Sequence, residues 1–424
     1  MLPAKNPMGD NPLISLKICL LSYRSNPHCG GQGVYVKNLS RALVDLGHSV
    51  HVVSGPPPLE LDADIPIRHL PCLDLYNPNA LFRTPSLEEL KNPVNLAEWM
   101  GVSTMGFPEP FTFGIRAFQY LQRSPHRYDV IHDNQSLSYG IWAIGRRMPT
   151  VATIHHPITI DRAIAVRSVS SAWKKFKYLR WYSFIGMQKR VARTLPHIIT
   201  VSACARDDIS HDFNISSDKF RIVPNGIDTH LFHPVPQIAR EKNRIIVTNS
   251  ADTPLKGLFY LLHAVADLAK TRKIRLVVVG SPKKNGGIVR LITRLGIGRL
   301  VTFTGRISHA EFVRQYAKAT AAVVPSVYEG FGLPVGEAMA CAVPVISTSG
   351  GALPEVVGDA GILVPPENVK ALSEAIAGLL DNPELAGRLG QAGYERVHRY
   401  FTWKRAAEKT VDTYREAIDG YRRF

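Results

Sequence analysis

The chain has 424 residues, 45% hydrophobic and 20% charged, which exceeds one ordinary core and points to two domains. Its 51 basic residues against 35 acidic ones leave a formal charge of +16, so phosphorylated substrates, anionic lipid and nucleic acid are the partners to weigh. No helix-turn-helix, RNA-recognition or zinc-finger pattern accompanies the charge, which puts nucleic acid behind the other two, and no run of about 18 apolar residues marks a membrane span.

Met1 to Asn11 has neither an apolar core nor a cleavage-like site, so residues 1–15 are expected to be a disordered leader and not a signal peptide. Five cysteines (Cys19, Cys29, Cys72, Cys204 and Cys341) lie scattered without C-x-x-C spacing. They read as small apolar residues in a reducing cytoplasm.

Leu16–Leu21 (LKICLL) is a short apolar run of the kind that forms a buried parallel strand. A turn-rich loop follows, with Ser25, Asn26, Pro27 and then Gly30-Gly31-Gln32-Gly33. Val34 to Leu46 has helical periodicity, Gly47 ends it, and His48–Ser54 is the next strand. Strand, glycine loop, helix and strand open a doubly wound α/β domain. The loop is not G-x-G-x-x-G, which weakens a dinucleotide-binding reading.

Pro56 to Phe113 reads as irregular, with recurring prolines, and long loops in compact domains usually carry function. Asp62-Ala-Asp64 mimics a metal-binding D-x-D, but no strand precedes it and it reads as solvated charge. Tyr128–His132 is a strand running into Asp133 and Asn134. Thr150–Ile154 is another, running into His155, His156 and Pro157. Ligands gather at the carboxyl ends of such strands, so three histidines and an aspartate are expected to share one crevice. His155 and His156 point in opposite directions on an extended chain, a poor chelating pair.

Arg162 to Arg193 carries nine basic residues and no acidic one. Trp173, Phe176, Tyr178, Trp181, Tyr182 and Phe184 interleave with the charges. The segment fits a helix lying on an anionic membrane surface. It fits equally a helix whose aromatics pack inward while its charges are solvated. Ile198–Ser202 is the next strand.

At mid-chain Phe220–Val223 leads into Pro224-Asn225-Gly226-Ile227-Asp228, a strong turn signal. The α/β pattern then restarts. Strands are expected at Ile245–Thr248, Ile274–Gly280, Leu300–Thr304, Ala321–Pro325 and Val343–Ser347, and helices at Leu258 to Lys270 and Ile288 to Leu295.

Pro325 to Glu337 reads PSVYEGFGLPVGE. Glu329 and Glu337 bracket seven residues, among them Gly330, Gly332 and Pro334. Glycines let backbone approach a ligand closely, and Pro334 suits a helix start. The free N–H groups of that start attract an anion, while the carboxylates accept from hydroxyls. Phosphate donors beside hydroxyl acceptors describe a pocket for a sugar nucleotide.

The E-x7-E pattern, followed by AMACAVPVI, resembles the donor-site signature of family 4 retaining glycosyltransferases, which have the GT-B fold. Gly30-Gly31 resembles the family's N-terminal glycine loop. Ala152-Thr153-Ile154-His155 is similar to its A-T-x-H, and the strand reaching Ser202 to its T-V-S. Pro224 to Asp228 matches P-N-G-x-D, Lys256-Gly257 matches K-G, and Gly350 to Glu355 matches G-G-x-x-P-E behind the donor pocket. The stretch Pro56–Phe113 is unmatched.

The resemblance implies two doubly wound Rossmann-like domains facing across a cleft. Residues 16–228, with a return helix at about 402–424, would form the acceptor side, and residues 237–401 the nucleotide-sugar side. It implies His155 near the reacting carbon of the donor sugar, Lys256 against the diphosphate, Glu329 on the sugar and Glu337 on the ribose hydroxyls. Gly31, Gly33, Gly257, Gly330, Phe331, Gly332 and Leu333 would line the donor, with His132 and Asn134 as acceptor-side candidates. No metal or other cofactor is expected.

The chain departs from the pattern at one place. Where the family usually carries an arginine five or six residues before the lysine, this chain has Ser250 and Ala251, which puts donor affinity in question. The expected activity is retaining transfer of a hexose from a nucleoside-diphosphate sugar to a hydroxyl acceptor: a glycolipid, polysaccharide or small glycoside. The expected location is cytoplasmic, peripheral on the inner membrane face if 162–193 docks there. Two rivals stand beside it: an epimerase or phosphorylase of the same architecture, and a non-catalytic basic protein binding membrane or nucleic acid.

Overall fold

The apolar runs resolve into two parallel sheets in the computed structural model, which describes residues 15–24, 31–77, 83–124, 127–248, 254–284 and 286–422. Residues 1–14 of the expected leader, Gly30, Cys29, Ser250 and Ala251 lie outside these residues, whereas Ser15, the last residue of that leader, donates through Oγ to Gly47 O at 2.8 Å.

The first sheet contains β1 (Lys17–Ser22), β2 (Ser49–Ser54), β3 (Ile67–His69), β4 (Val130–Asn134), β5 (Thr150–Ile154), β6 (Ile198–Thr200) and β7 (Phe220–Ile222). Its spatial order is β3-β2-β1-β4-β5-β6-β7. The second contains β8 (Arg244–Thr248), β9 (Arg275–Val279), β10 (Val301–Phe303), β11 (Ala321–Val324), β12 (Val345–Thr348) and β13 (Gly361–Val364). Its order, β10-β9-β8-β11-β12-β13, repeats the first. Every residue of β4, β5, β11 and β12 is buried, because helices cover both faces of a parallel sheet. Each order reverses once, between β1 and β4 and between β8 and β11. Such a reversal leaves a crevice at the carboxyl ends of the strands.

The reading of Pro56 to Phe113 as irregular is corrected. It contains β3 and helices at Leu87–Leu90, Pro93–Ser103 and the start of Glu109–Arg123. Two of the recurring prolines, Pro93 and Pro110, occupy first turns of helices, where a missing N–H costs nothing. Pro93 follows an Asn92 cap whose side chain accepts from Val94 N at 2.9 Å. Likewise the helix expected from Val34 begins at Gly31, so Gly31 and Gly33 sit in its first turn and not in a loop. Asp64 is not merely solvated: Arg41 of that helix pairs with it at 2.8 Å.

The last helix, Trp403–Arg422, leaves the second sheet and packs against the Gly31–Asp45 helix, β4 and β5. The two chain crossings run side by side, with Ile227 N donating to Phe401 O at 2.8 Å. A Cβ on Gly226 would collide with the Trp403 backbone, so this glycine serves close approach as well as a turn. From the returning helix, Tyr414 reaches β4 and bonds His132 Nδ1 at 2.6 Å. Thr153 Oγ1 lies 2.7 Å from Nε2. Burial lowers the His132 pKa to about 3, so the ring is neutral and bonded on both nitrogens.

Replacing Tyr414 by Phe strands one nitrogen of a buried imidazole. Tyr414→Phe is expected to lower stability by about 1–3 kcal/mol in urea unfolding; an unchanged midpoint would show that this bond contributes nothing.

Candidate active site

At the carboxyl ends of β8, β11 and β12 three loops interlock through backbone. Gly257 has φ +68°, and a Cβ there would overlap the Pro325 carbonyl. Val327 N donates to Leu255 O at 2.8 Å, and Ala352 N to Glu329 O at 2.8 Å. Gly351, at φ +64°, lies against the Glu329 backbone. Only residues without a Cβ allow these approaches. Their result is that Lys256 Nζ sits 2.6 Å from Glu329 Oε1, and Ser326 Oγ donates to the same oxygen at 2.8 Å.

Behind Gly332, at φ +107°, the helix Leu333–Ala340 begins with Pro334 in its first turn. Glu337 follows one turn in. Its carboxyl faces the Tyr316 hydroxyl and the Lys256 charge. Dense protein around it pushes its pKa up to about 7, against the lowering effects of Tyr316 and Lys256, although part of the residue still reaches the surface. Phe331 points away: its side chain is core, edge-on to Phe401 at 5.6 Å. Only its backbone belongs to the loop. Leu333 is half-buried.

Across the cleft, β4 ends at Asn134 and β5 runs on into His155. Asn134 Nδ2 points to the Gln32 carbonyl at 3.4 Å and to Ser22 Oγ at 3.3 Å. That leaves Oδ1 facing His155 Nε2 at 2.8 Å. Burial lowers the His155 pKa to about 3. A neutral ring facing a carbonyl oxygen must carry its proton on Nε2. Tyr35 stands edge-on to the ring at 4.7 Å, and Gln135 Oε1 accepts from His155 N at 2.9 Å.

Both acceptor-side candidates already have protein partners. His132 is 1% exposed and faces Tyr414, because it lies inside β4 and not beyond its end. Asn134 is occupied in orienting His155. The single crevice of histidines also divides: His156 turns away to Asp161 at 2.7 Å, and Asp133 is buried, accepting from Leu137 N at 2.8 Å. Gly31 and Gly33 stand at the helix start beside Gln32.

The halves touch at Gly330. A Cβ there would lie 2.5 Å from the His155 carbonyl oxygen and 2.8 Å from His156 Cβ. Ser202 Oγ donates to Gly330 O at 2.8 Å. Glu355 accepts from Ala203 N at 2.8 Å and Cys204 N at 2.7 Å, capping the Ala203–Phe213 helix of the opposite half. Tyr328 donates to Asp208 at 2.7 Å. Spacing did not reveal these contacts. The G-G-x-x-P-E element marks Glu355, but its carboxylate reaches across the cleft. Among the described residues no three His, Cys, Asp or Glu side chains are placed to hold a metal ion.

The basic segment is three helices, Ile158–Arg167, Ala172–Trp181 and Ile185–Thr194. Trp181 stacks on Phe107 at 5.0 Å, and Phe184 meets the same ring at 5.5 Å, so those aromatics are packed inward. The middle helix has no buried residue. Trp173 is 63% exposed, and Phe176 and Leu179 are 52% exposed each, interleaved with Lys174, Lys175 and Lys177. No helix among the described residues is long and apolar enough to cross a membrane.

With the geometry in place, comparison with known proteins is informative. The model described as Glycosyltransferase Family 4 matches residues 29–231, and that described as Glycosyl transferases group 1 matches residues 232–396. The chain is 45% identical over 408 residues to an MMP alpha-(1->4)-mannosyltransferase from Mycolicibacterium hassiacum, covering 95% of this chain and 98% of that one. It is 26% identical over 447 residues to a D-inositol 3-phosphate glycosyltransferase from Streptomyces bingchenggensis, covering 96% and 91%. In fold it is similar to a sucrose-phosphate synthase from Thermosynechococcus elongatus, with TM-score 0.74, 24% identity and coverage of 95% and 100%. It is also similar in fold to Anabaena HepE in complex with UDP and glucose, with TM-score 0.67, 17% identity and coverage of 94% and 99%.

Removing the Glu355 carboxylate takes away a cap that bridges the halves. Glu355→Ala is expected to enlarge the radius of gyration in small-angle scattering with helix content kept; superimposable scattering curves would rule out this contact as a clamp.

Proposed function

The chain belongs to the family 4 glycosyltransferases of GT-B fold, and from that premise we propose that it moves a mannosyl unit, with retention, from a nucleoside-diphosphate sugar to a saccharide hydroxyl. The observation that carries the reading is the Lys256–Glu329 pair at 2.6 Å, facing His155 across the Gly330 contact. Mannose is suggested by the name of the 45% identical relative. The relatives favour neither the epimerase or phosphorylase reading nor a non-catalytic one.

In this reading Lys256 turns from Glu329 to the donor diphosphate and offsets the charge that grows on the leaving group. Glu329, released, accepts from hydroxyls of the hexose. Glu337 accepts from the ribose hydroxyls. His155 lies beside the transferred sugar, held by Asn134. Gly31, Gly33, Gly257, Gly330, Gly332 and Leu333 bring backbone to the donor, and the Leu333–Ala340 helix start adds partial positive charge. These groups supply the cationic environment without a metal ion. The anomeric carbon–oxygen bond to phosphate breaks as the acceptor oxygen bonds the same face, and the acceptor proton passes to the departing phosphate oxygen. Positioning and electrostatics carry the rate.

The exposed Ala172–Trp181 helix favours a second feature, peripheral docking on an anionic membrane. Each lysine near such a surface contributes roughly 1 kcal/mol, and Trp173, Phe176 and Leu179 offer apolar anchors. Sedimentation with phosphatidylserine vesicles but not phosphatidylcholine vesicles is expected, and a Trp173→Ala, Phe176→Ala double variant should stay in the supernatant. Equal partitioning to both vesicle types would refute the docking.

For the reaction, GDP-mannose and UDP-glucose are the first donors to offer, with methyl α-mannoside as acceptor. Lys256→Ala and Glu329→Gln are expected to lower kcat by about 10²–10³, with a melting curve confirming that each variant is folded at the assay temperature. Full turnover in both variants, or no nucleotide release from any sugar nucleotide by the parent protein, would overturn the assignment.

A further inference from the structure

Two neighbouring strands each carry a polar pair at alternate positions: His132 and Asn134 on β4, Thr153 and His155 at the end of β5. Residues two apart on a strand share a face, and the parallel register sets Asn134 beside Thr153. Two rungs result on that face. His132 Nε2 lies 2.7 Å from Thr153 Oγ1, and Asn134 Oδ1 lies 2.8 Å from His155 Nε2. The transfer reading uses the outer rung, through His155. It leaves the inner, buried rung of His132 and Thr153 without a part.

Tyr35, one turn into the Gly31–Asp45 helix, stands over both rungs. Its hydroxyl is 2.9 Å from Thr153 Oγ1. Its ring meets the His155 ring edge-on, with centroids 4.7 Å apart and planes at 83°. At the far end Tyr414 of the last helix reaches His132 Nδ1 at 2.6 Å. Tyr414, His132, Thr153 and Tyr35 therefore form one buried line. It begins in the returning helix and ends against His155.

The bonds in this line are set together. Burial keeps His132 neutral, and a neutral imidazole has one N–H. When it donates at one nitrogen it accepts at the other, which ties the Tyr414 bond to the Thr153 bond. Thr153 in turn has a single hydroxyl hydrogen to place between His132 and Tyr35. Buried chains of this kind polarise one another, so each bond strengthens the next. An edge-on ring contact depends on the angle between the planes, and the hydroxyl bond pins the tip of the Tyr35 ring.

We propose that Tyr35 is a positioning residue for His155, and that Tyr414 holds it in place through His132 and Thr153, so that the returning helix sets the ring at the cleft. This role rests on the transfer reading above, which puts His155 beside the donor sugar. Tyr35, Thr153 and Tyr414 take no part in bond making.

Two measurements test it. The first needs no substrate: in protein carrying isotope-labelled histidine, the His155 Nε2 resonance is assigned by its loss in His155→Asn. That resonance is expected to shift in Tyr35→Phe, Thr153→Val and Tyr414→Phe, and to keep its parent position in Thr153→Ser. The second is steady-state transfer from GDP-mannose to methyl α-mannoside, at a temperature where melting curves show every variant folded. Each of the three variants that remove a hydroxyl is expected to lower kcat about 10-fold, with the GDP-mannose KM moving less than about twofold, because a misplaced group costs turnover more than uniform binding. Thr153→Ser keeps the hydroxyl and should hold kcat. The double variant Tyr35→Phe, Tyr414→Phe should lose about as much as either single one, since both break the same line. A His155 resonance unmoved in folded Tyr414→Phe overturns the inference. So does full turnover in the three single variants, or a double variant whose loss is the product of the two single losses. If the parent protein transfers from no donor, the transfer reading fails by itself, and the resonance still decides whether the line holds His155.

Discussion

The two halves meet where Gly330 presses on the carbonyl of His155. With a Cβ at that position 2.5 Å from the oxygen, only glycine permits the approach without a shift. Further contacts hold the halves together beside it. Ser202 binds the Gly330 carbonyl, and Glu355 caps the Ala203–Phe213 helix from the far side. The glycines at 257 and 351 perform the same service between loops of the second sheet. The loops that carry Lys256 and Glu329 are therefore positioned chiefly by backbone against backbone.

Burial sets the charges around that frame. His132 and His155 are held neutral by desolvation, one as a strut inside the sheet and the other at the cleft. Glu337 and Glu109 are pushed in the opposite sense, toward the neutral acid, for the same reason. Lys256 and Glu329 neutralise each other, which avoids leaving either charge alone in a partly enclosed site. An anion for the lysine and a hydrogen-bond donor for the carboxylate can separate such a pair without leaving a member unpaired.

Family membership and geometry answer different questions. The relatives span both halves of the chain and establish sugar transfer. Their named acceptors and products differ, from a mannosyl linkage to an inositol phosphate. The stretch after Pro56 is where the sequence by itself showed no family motif. There the protein builds the Pro93–Ser103 and Glu109–Arg123 helices.

Local chemistry in the sequence determined much of this protein. Short apolar runs read as parallel strands because their burial on both faces needs no knowledge of the partner. The glycine and proline around Glu329 foretold a loop and a helix start because φ preference is local. Other features became visible only in three dimensions. Pro93 and Pro110 counted toward an irregular stretch until the structure put them in the first turns of helices. His132 looked like a ligand until Tyr414, 282 residues away, was seen to cover it. The Ser202–Gly330 and Glu355–Ala203 contacts span 128 and 152 residues. Periodicity states which face of an element is apolar and which residue can bend the chain; it carries no information about what comes to lie against that face, and that is what tertiary packing decided.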